Sequence, residues 1–267
     1  MSFQPRRIGF AHVPKTAGTA IGFAISKSLG LERRHFFKAD LAGLRKSTPA
    51  AHAEIAKLPF ISGHVSPKQL RACDRDFIFT VLRDPRVRLV SEYAYLRAYA
   101  LKRDESRLLP HELAAKQLSL LGWLETRAKS PMTRFLINLP KRDRQRTEAE
   151  LNARREPDRI LQKINRQLSL LDGVYACDPA LIMHDLFDRG VIPKAVIAPR
   201  NVTNKQSELL VGGDKDFLLE TLALHTRIDT LLYNEAAQLY PATVTKELLS
   251  DEDVIDTMLS RYGFEFR

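Results

Sequence analysis

The strongest constraint on this chain is a strand-sized apolar run that a proline halts and a small-residue loop follows. Ile8-Gly9-Phe10-Ala11-His12-Val13 is short and mostly apolar, as a buried strand is, and Pro14 ends it. Lys15-Thr16-Ala17-Gly18-Thr19-Ala20 reads as a tight turn. Ile21 to Leu29 then has helical spacing, with Ile21, Ala24, Ile25 and Leu29 on one face and Gly30 as its stop. Strand, tight loop and helix form the first half of a βαβ unit, so the expected class is α/β with a central, mainly parallel sheet flanked by helices.

The pattern recurs. Phe60-Ile61-Ser62-Gly63-His64 reads as a short strand ending in a turn, and Phe77-Ile78-Phe79-Thr80-Val81-Leu82 as a central parallel strand buried on both faces. After Arg83-Asp84-Pro85, Val87 to Tyr99 has helical spacing through Leu89, Val90, Tyr93 and Leu96. Gly173-Val174-Tyr175 and Ala195-Val196-Ile197 are shorter strand candidates. Asp216 through Tyr240 predicts a long amphipathic helix whose apolar stripe is Leu218, Leu219, Leu222, Ile228, Leu231, Leu232 and Leu239. From about residue 101 to 171 no strand is expected, and Lys141 to Arg166 carries dense charge of both signs, as a solvated helical face does. With no internal repeat or linker, 267 residues are expected to form one domain, 1–267, with a helical insertion at about 101–171.

Hydrophobic residues at 44% and charged residues at 28% exclude wholesale disorder. Lys and Arg exceed Asp and Glu by 42 − 32, a net charge of +10 that favours an anionic partner: phosphate, sulfate, nucleic acid or acidic glycan. Cys73 and Cys177 are too few for a disulfide scaffold, so a reduced, cytoplasmic setting is expected. No apolar run approaches the roughly 18 residues that span a bilayer. The basic start, Met1 to Arg7, runs into a strand rather than a signal-peptide core. The expectation is a chain with neither secretory leader nor transmembrane anchor.

Two segments carry chemistry. In Lys15 to Ala20, small residues at a strand-to-helix turn leave backbone N–H groups uncovered, and the helix N-terminus adds about half a positive charge. Lys15 adds a full one, which makes a cradle for a phosphate or phosphosulfate. It is not a Walker A loop, because the lysine precedes the only glycine, and it lacks two glycines of the dinucleotide fingerprint. Taken alone, it is equally an ordinary connection with an exposed lysine. The second segment is Leu82 to Tyr93. Arg83 stands at the carboxyl end of a central strand, where open α/β sheets bind ligands, and its planar fork suits an oxyanion. Ser91 falls about two helical turns later. Taken singly, each residue favours the plainer role: Arg83 paired with Asp84, and Ser91 on a helix surface.

As an ordered pair, Pro-Lys-Thr-Ala-Gly-Thr and Arg-Asp-Pro-x-x-Arg-x-x-Ser-x-Tyr resemble the PAPS-dependent sulfotransferases. The likeness is to the carbohydrate branch that includes the heparan sulfate 2-O-sulfotransferases and many bacterial enzymes. The resemblance implies a P-loop-like sulfotransferase fold and the donor PAPS (3′-phosphoadenosine 5′-phosphosulfate), with PAP as product and no metal. It implies that Lys15, Thr16, Ala17, Gly18, Thr19 and Ala20 hold the 5′ end, and that Arg83 and Ser91 hold the 3′-phosphate. Gly63-His64-Val65-Ser66 is similar to the segment carrying the family's catalytic histidine, which makes His64 the candidate general base and Lys15 the residue that stabilises the departing 5′-phosphate. Asn201-Val202-Thr203-Asn204-Lys205, Asp229 and Leu232-Tyr233 resemble the family's C-terminal region. Two departures stand out: Ser62 where the 2-O pattern has a second histidine, and Ala20 where the loop often has Ser.

On this reading the acceptor is a hydroxyl of a glycan or glycolipid and the enzyme is cytoplasmic and bacterial, with no nucleic-acid partner. The basic residues Arg142, Arg144 and Arg146 are candidate contacts to an acidic acceptor. His12 reads as a strand residue below the loop, and Asp84, Glu92, His35 and His111 are reserve candidates. The leading alternative enzyme is a nucleotide kinase or NTPase using ATP and Mg²⁺ through Thr16 and Asp84. A third reading is a basic nucleic-acid-binding protein, although zinc-finger spacing, a ribonucleoprotein aromatic motif and a helix-turn-helix are all missing.

Overall fold

The computed structural model describes residues 6–31, 37–39, 49–137, 158–196, 209–244 and 247–266. Five strands form one parallel sheet: β1 (Ile8–Ala11), β2 (Phe37–Ala39), β3 (Phe60–Gly63), β4 (Phe77–Leu82) and β5 (Gly173–Ala176). Their order is β2-β3-β1-β4-β5, and every ladder between them is parallel. The connecting helices are α1 (Gly18–Ser28), α2 (Pro49–Lys57), α3 (Pro67–Ala72) and α4 (Pro85–Leu101). Then come α5 (Pro110–Gln117), α6 (Leu120–Glu125), α7 (Pro131–Ile137), α8 (Asp158–Leu168) and α9 (Pro179–Asp188). The short strand β6 (Leu209–Leu210), the long helix α10 (Lys215–Leu239), α11 (Asp251–Thr257) and β7 (Phe264–Glu265) complete the order. Among the described residues, no helix is long and apolar enough to cross a membrane.

The chain divides into two compact units. The first holds residues 1–83, 132–201 and 232–246, and the second holds 84–131, 202–231 and 247–267. In the first, β1, β3 and β4 are buried at every position, as parallel strands covered on both faces must be. Phe10, Phe79 and Tyr175 from the sheet pack with Ile21 and Ile25 of α1 and Ile182 of α9. Helix α1 stops at a Schellman motif. Leu31 N–H donates to Ser26 C=O and Gly30 N–H to Lys27 C=O, which needs the left-handed φ of 67° that Gly30 adopts. The buried guanidinium of Arg75 donates to the carbonyls of Ala56 and Leu58, closing the carboxyl end of α2.

The second unit is built around Tyr93 of α4 and Trp123 of α6, packed with Leu218 and Leu222 of α10, Met258, and Phe264 of β7. Parallel pairing of β6 with β7 adds a two-stranded sheet. Asp84 caps α4 by accepting from Arg86 N–H and Val87 N–H.

Several boundaries differ from the sequence reading. Strand β1 ends at Ala11, because His12 and Val13 leave the strand to enter the loop. Ala195 and Val196 are irregular, not a strand, and Ile197 lies outside the described residues. Leu239 is not part of the buried stripe of α10. It is 54% exposed in the last turn, whereas Leu218, Leu222, Ile228 and Leu232 are buried. Residues 138–157, with Arg142, Arg144 and Arg146, lie outside the described residues, as do His35 and Asn201 to Lys205. Residues 158–166 of the charged segment belong to α8, which buries Ile160, Ile164 and Leu168 at four-residue spacing.

One polar network in the second unit is decisive for stability. Glu92 of α4 accepts from Arg88 at 2.7 Å and from Arg127 at 2.8 Å, and Arg88 is almost wholly buried. Burial pushes the Glu92 carboxyl up, but the two guanidiniums outweigh it and hold the group below its ordinary range. Glu92→Gln strands buried positive charge, so at pH 7 it is expected to cost about 3 kcal/mol in urea unfolding. Because the folded value is depressed, this contribution is present above the unfolded value of about 4.3 and is lost as pH falls through the folded one. The gap between wild type and variant should therefore narrow below about pH 4.

Candidate functional site

Strand order alone marks one edge of the larger sheet. From β1 the chain travels toward β2 on one side, and from β4 it travels toward β5 on the other, although β1 and β4 are neighbours. Their carboxyl ends therefore flank a topological switch point, where connections leave in opposite directions and open a crevice. Ala11 is in register with Thr80, whose hydroxyl donates to Ala11 C=O at 2.7 Å. That register sends the loop Pro14–Ala17 and Arg83 off the same edge of the sheet. The remaining strand-end residue, His64, follows β3 on the other side of β1.

The loop after β1 has an unusual backbone. Lys15 and Ala17 are left-handed, with φ of 69° and 60°, while Thr16 between them is not. Alternating handedness turns successive N–H groups toward one side and makes a concave anion nest. Non-glycine residues in this region are strained by about 1–3 kcal/mol each, and such strain concentrates at functional sites. Ala17 is also the N-cap of α1, so no side chain caps that helix, and no acidic residue lies in its first turn. The first N–H groups of α1 thus face the loop without a side-chain cap, and the N-cap lies two residues after Lys15.

Thr16 contributes backbone only, because its fully buried hydroxyl donates inward to Val13 C=O at 2.8 Å. Thr19 is exposed, Lys15 and Ala17 are half-buried, and Gly18 and Ala20 are buried. Gly18 has a steric reason to be glycine. A Cβ there would fall well inside van der Waals contact of Cγ, Cδ2 and Nε2 of His12. The His12 ring therefore occupies the space under the first residue of α1.

His12 and His64 are brought together. The His12 amide donates to Gly63 C=O at 3.0 Å, extending the β1–β3 ladder by one bond. Their ring centroids lie 5.2 Å apart, tilted by 57°. His64 also meets Phe135 of α7 edge-on at 6.0 Å. His64 is half-buried and precedes α3, whose start is fixed by a capping box between Ser66 and Gln69. The sequence reading left His12 without a role and gave Phe135 none. A histidine two residues beyond a buried strand phenylalanine was the available signal, since Phe10 and His12 share a face.

The reserve candidates have other employment. The Asp84 carboxylate caps α4 and pairs with Arg86 at 3.0 Å. Glu92 is engaged by its two arginines, as described. His111 is half-buried on α5, and its carbonyl accepts from the Trp123 indole at 3.3 Å. Ser91 lies in the second unit, buried on α4 with 4% exposure. No family model matches the chain, and no curated protein matches it.

The wedge of Gly18 against His12 predicts a reversal of sign. Gly18→Ala should lower stability by about 1–3 kcal/mol through overpacking. In a His12→Ala background, the same change should instead stabilise by about 0.5–1 kcal/mol, the ordinary gain of Ala over Gly in a helix. Thermal unfolding of the two single variants and the double variant measures the coupling. Additive effects would show that the ring does not occupy that space.

Proposed function

We propose that the chain is a PAPS-dependent sulfotransferase that transfers a sulfuryl group to a hydroxyl of a carbohydrate or glycolipid acceptor. The observation that carries this reading is the left-handed loop nest with Lys15, set on the same sheet edge as Arg83 at a switch point. Two cationic groups leaving neighbouring strand ends suit a nucleotide phosphorylated at both its 5′ and 3′ positions. The strand order, with β1 central, supports the finer reading of a P-loop-like sulfotransferase fold.

On this reading, the backbone N–H groups of residues 16 to 20 and the Lys15 ammonium receive the 5′-phosphosulfate, and Arg83 receives the 3′-phosphate. A share for Ser91 rests on the resemblance alone. His64 takes the proton of the acceptor hydroxyl. The acceptor oxygen then bonds to sulfur as the bond from sulfur to the 5′-phosphate oxygen breaks, and Lys15 with the start of α1 stabilises the charge that grows there. A neutral imidazole suits the base role near pH 7. The commitment of Asp84 to helix capping, and of the Thr16 hydroxyl to Val13, weighs against a kinase that would hold Mg²⁺ through them. Two cysteines, both free, suit a cytoplasmic setting.

A thermal-shift panel of PAP, PAPS, ATP and GTP, each with and without Mg²⁺, tests the donor class. PAP at a hundredfold excess over its Kd should stabilise by about 2.7 kcal/mol, or roughly 5–10 °C in Tm, without Mg²⁺. A preference for ATP with Mg²⁺ would point to the kinase, and DNA affinity falling steeply with salt, with no nucleotide response, to the nucleic-acid reading. Lys15→Ala should slow PAP release from PAPS on the order of 10²–10³-fold, as removal of one charge-stabilising donor does.

A further inference from the structure

The rings around His64 form a continuous column. Phe79 of β4 stacks on Phe10 of β1 with centroids 4.5 Å apart and planes 4° from parallel. Phe10 stacks in turn on His12 at 5.5 Å and 27°. His12 meets His64, and His64 meets Phe135 at 87°. The lower members are fully buried, and the His12 ring has little freedom: its backbone is tied to Gly63, Phe10 lies on one side, and the first residue of α1 closes over it. Rotation of His64 is opposed by these ring contacts, of which His12 is anchored through Phe10 to the sheet. Such ring pairs contribute about 0.5–1.5 kcal/mol each beyond area burial, enough to bias one orientation over another.

We propose that His12 and Phe135 are positioning residues that hold the His64 imidazole in its working orientation. The aromatic column transmits the rigidity of the parallel sheet to that ring. His12 acts through its ring packing, and Phe135 meets the same imidazole from α7, in the part of the chain that has no counterpart in the sulfotransferase resemblance. This inference rests on the proposed role of His64 as base, and it adds two residues that neither donor motif contains.

The experiment uses the full chain and two readouts. In the first, the ¹³Cε1–¹H signal of His64, assigned by its loss in His64→Gln, is followed without any donor. Wild type should give one narrow signal displaced by the neighbouring rings. His12→Ala and Phe135→Leu should each move and broaden it, whereas His12→Phe should keep it narrow. A His64 signal that stays put in both His12→Ala and Phe135→Leu overturns the proposal, even if PAP fails to bind and the donor reading falls.

The second readout is PAP release from PAPS with glycerol as the hydroxyl probe. His12→Ala and Phe135→Leu should slow it on the order of 10²-fold, as small misplacements of a reacting group do. In Phe135→Leu the Tm shift produced by PAP should remain that of wild type, and His12→Phe should recover most of the rate lost in His12→Ala. Turnover that is unchanged in both truncations, or as low in His12→Phe as in His12→Ala, overturns the proposal while leaving the donor site standing.

Discussion

The site depends on the parallel pairing of β1 with a strand on either side. Ile8 to Ala11 have no exposed residue, and their register with β3 and β4 decides which loops leave the sheet together. A slip of one residue would turn Phe10 and His12 to the opposite face and break the stack with Phe79. It would also shift the nest away from Arg83. Register is strongly specified here, because both faces of β1 are buried and the Thr80 hydroxyl clamps its last carbonyl.

Against that rigid frame, the loop is locally unfavourable. Lys15 and Ala17 hold left-handed dihedrals without being glycine, and α1 begins with no side-chain cap. Five other helices do carry a side-chain cap, from Ser66, Asp84, Ser119, Asp178 and Ser250, whereas α5, like α1, starts without one. An arrangement that costs stability and exposes positive backbone dipoles persists when the surrounding structure over-determines it. Here the proline, the inward hydroxyl of Thr16 and the wedge of Gly18 on His12 do so.

Much of the frame was legible in the amino-acid order because apolar periodicity and turn chemistry are local signals. Strand β4 is present over its expected residues, and α1, α4 and α10 lie within a few residues of their expected ends. Strand β2 was missed because three residues, Phe37-Lys38-Ala39, carry no period to read. Ala195-Val196 has strand-like composition but forms no ladder, which shows that β propensity describes fit to a neighbour more than the segment itself. The loop and Arg83 were found by residue type and position relative to strands. The engagement of Glu92 by Arg127 spans 35 residues, and that of His64 by Phe135 joins segments further apart still. Contacts of that kind depend on tertiary packing and leave no spacing rule in the chain.

The placement of β1 also bears on how the protein is made. Strand β1 precedes both of the strands that pair with it, and one of those partners, Thr80, lies 69 positions away from Ala11. A nascent chain therefore carries an unmatched apolar segment until both flanking strands have emerged from the ribosome. High contact order slows such folding and prolongs the time in which that segment can aggregate. Dependence on chaperones during synthesis is the natural corollary of a sheet whose central strand is made before both of its neighbours.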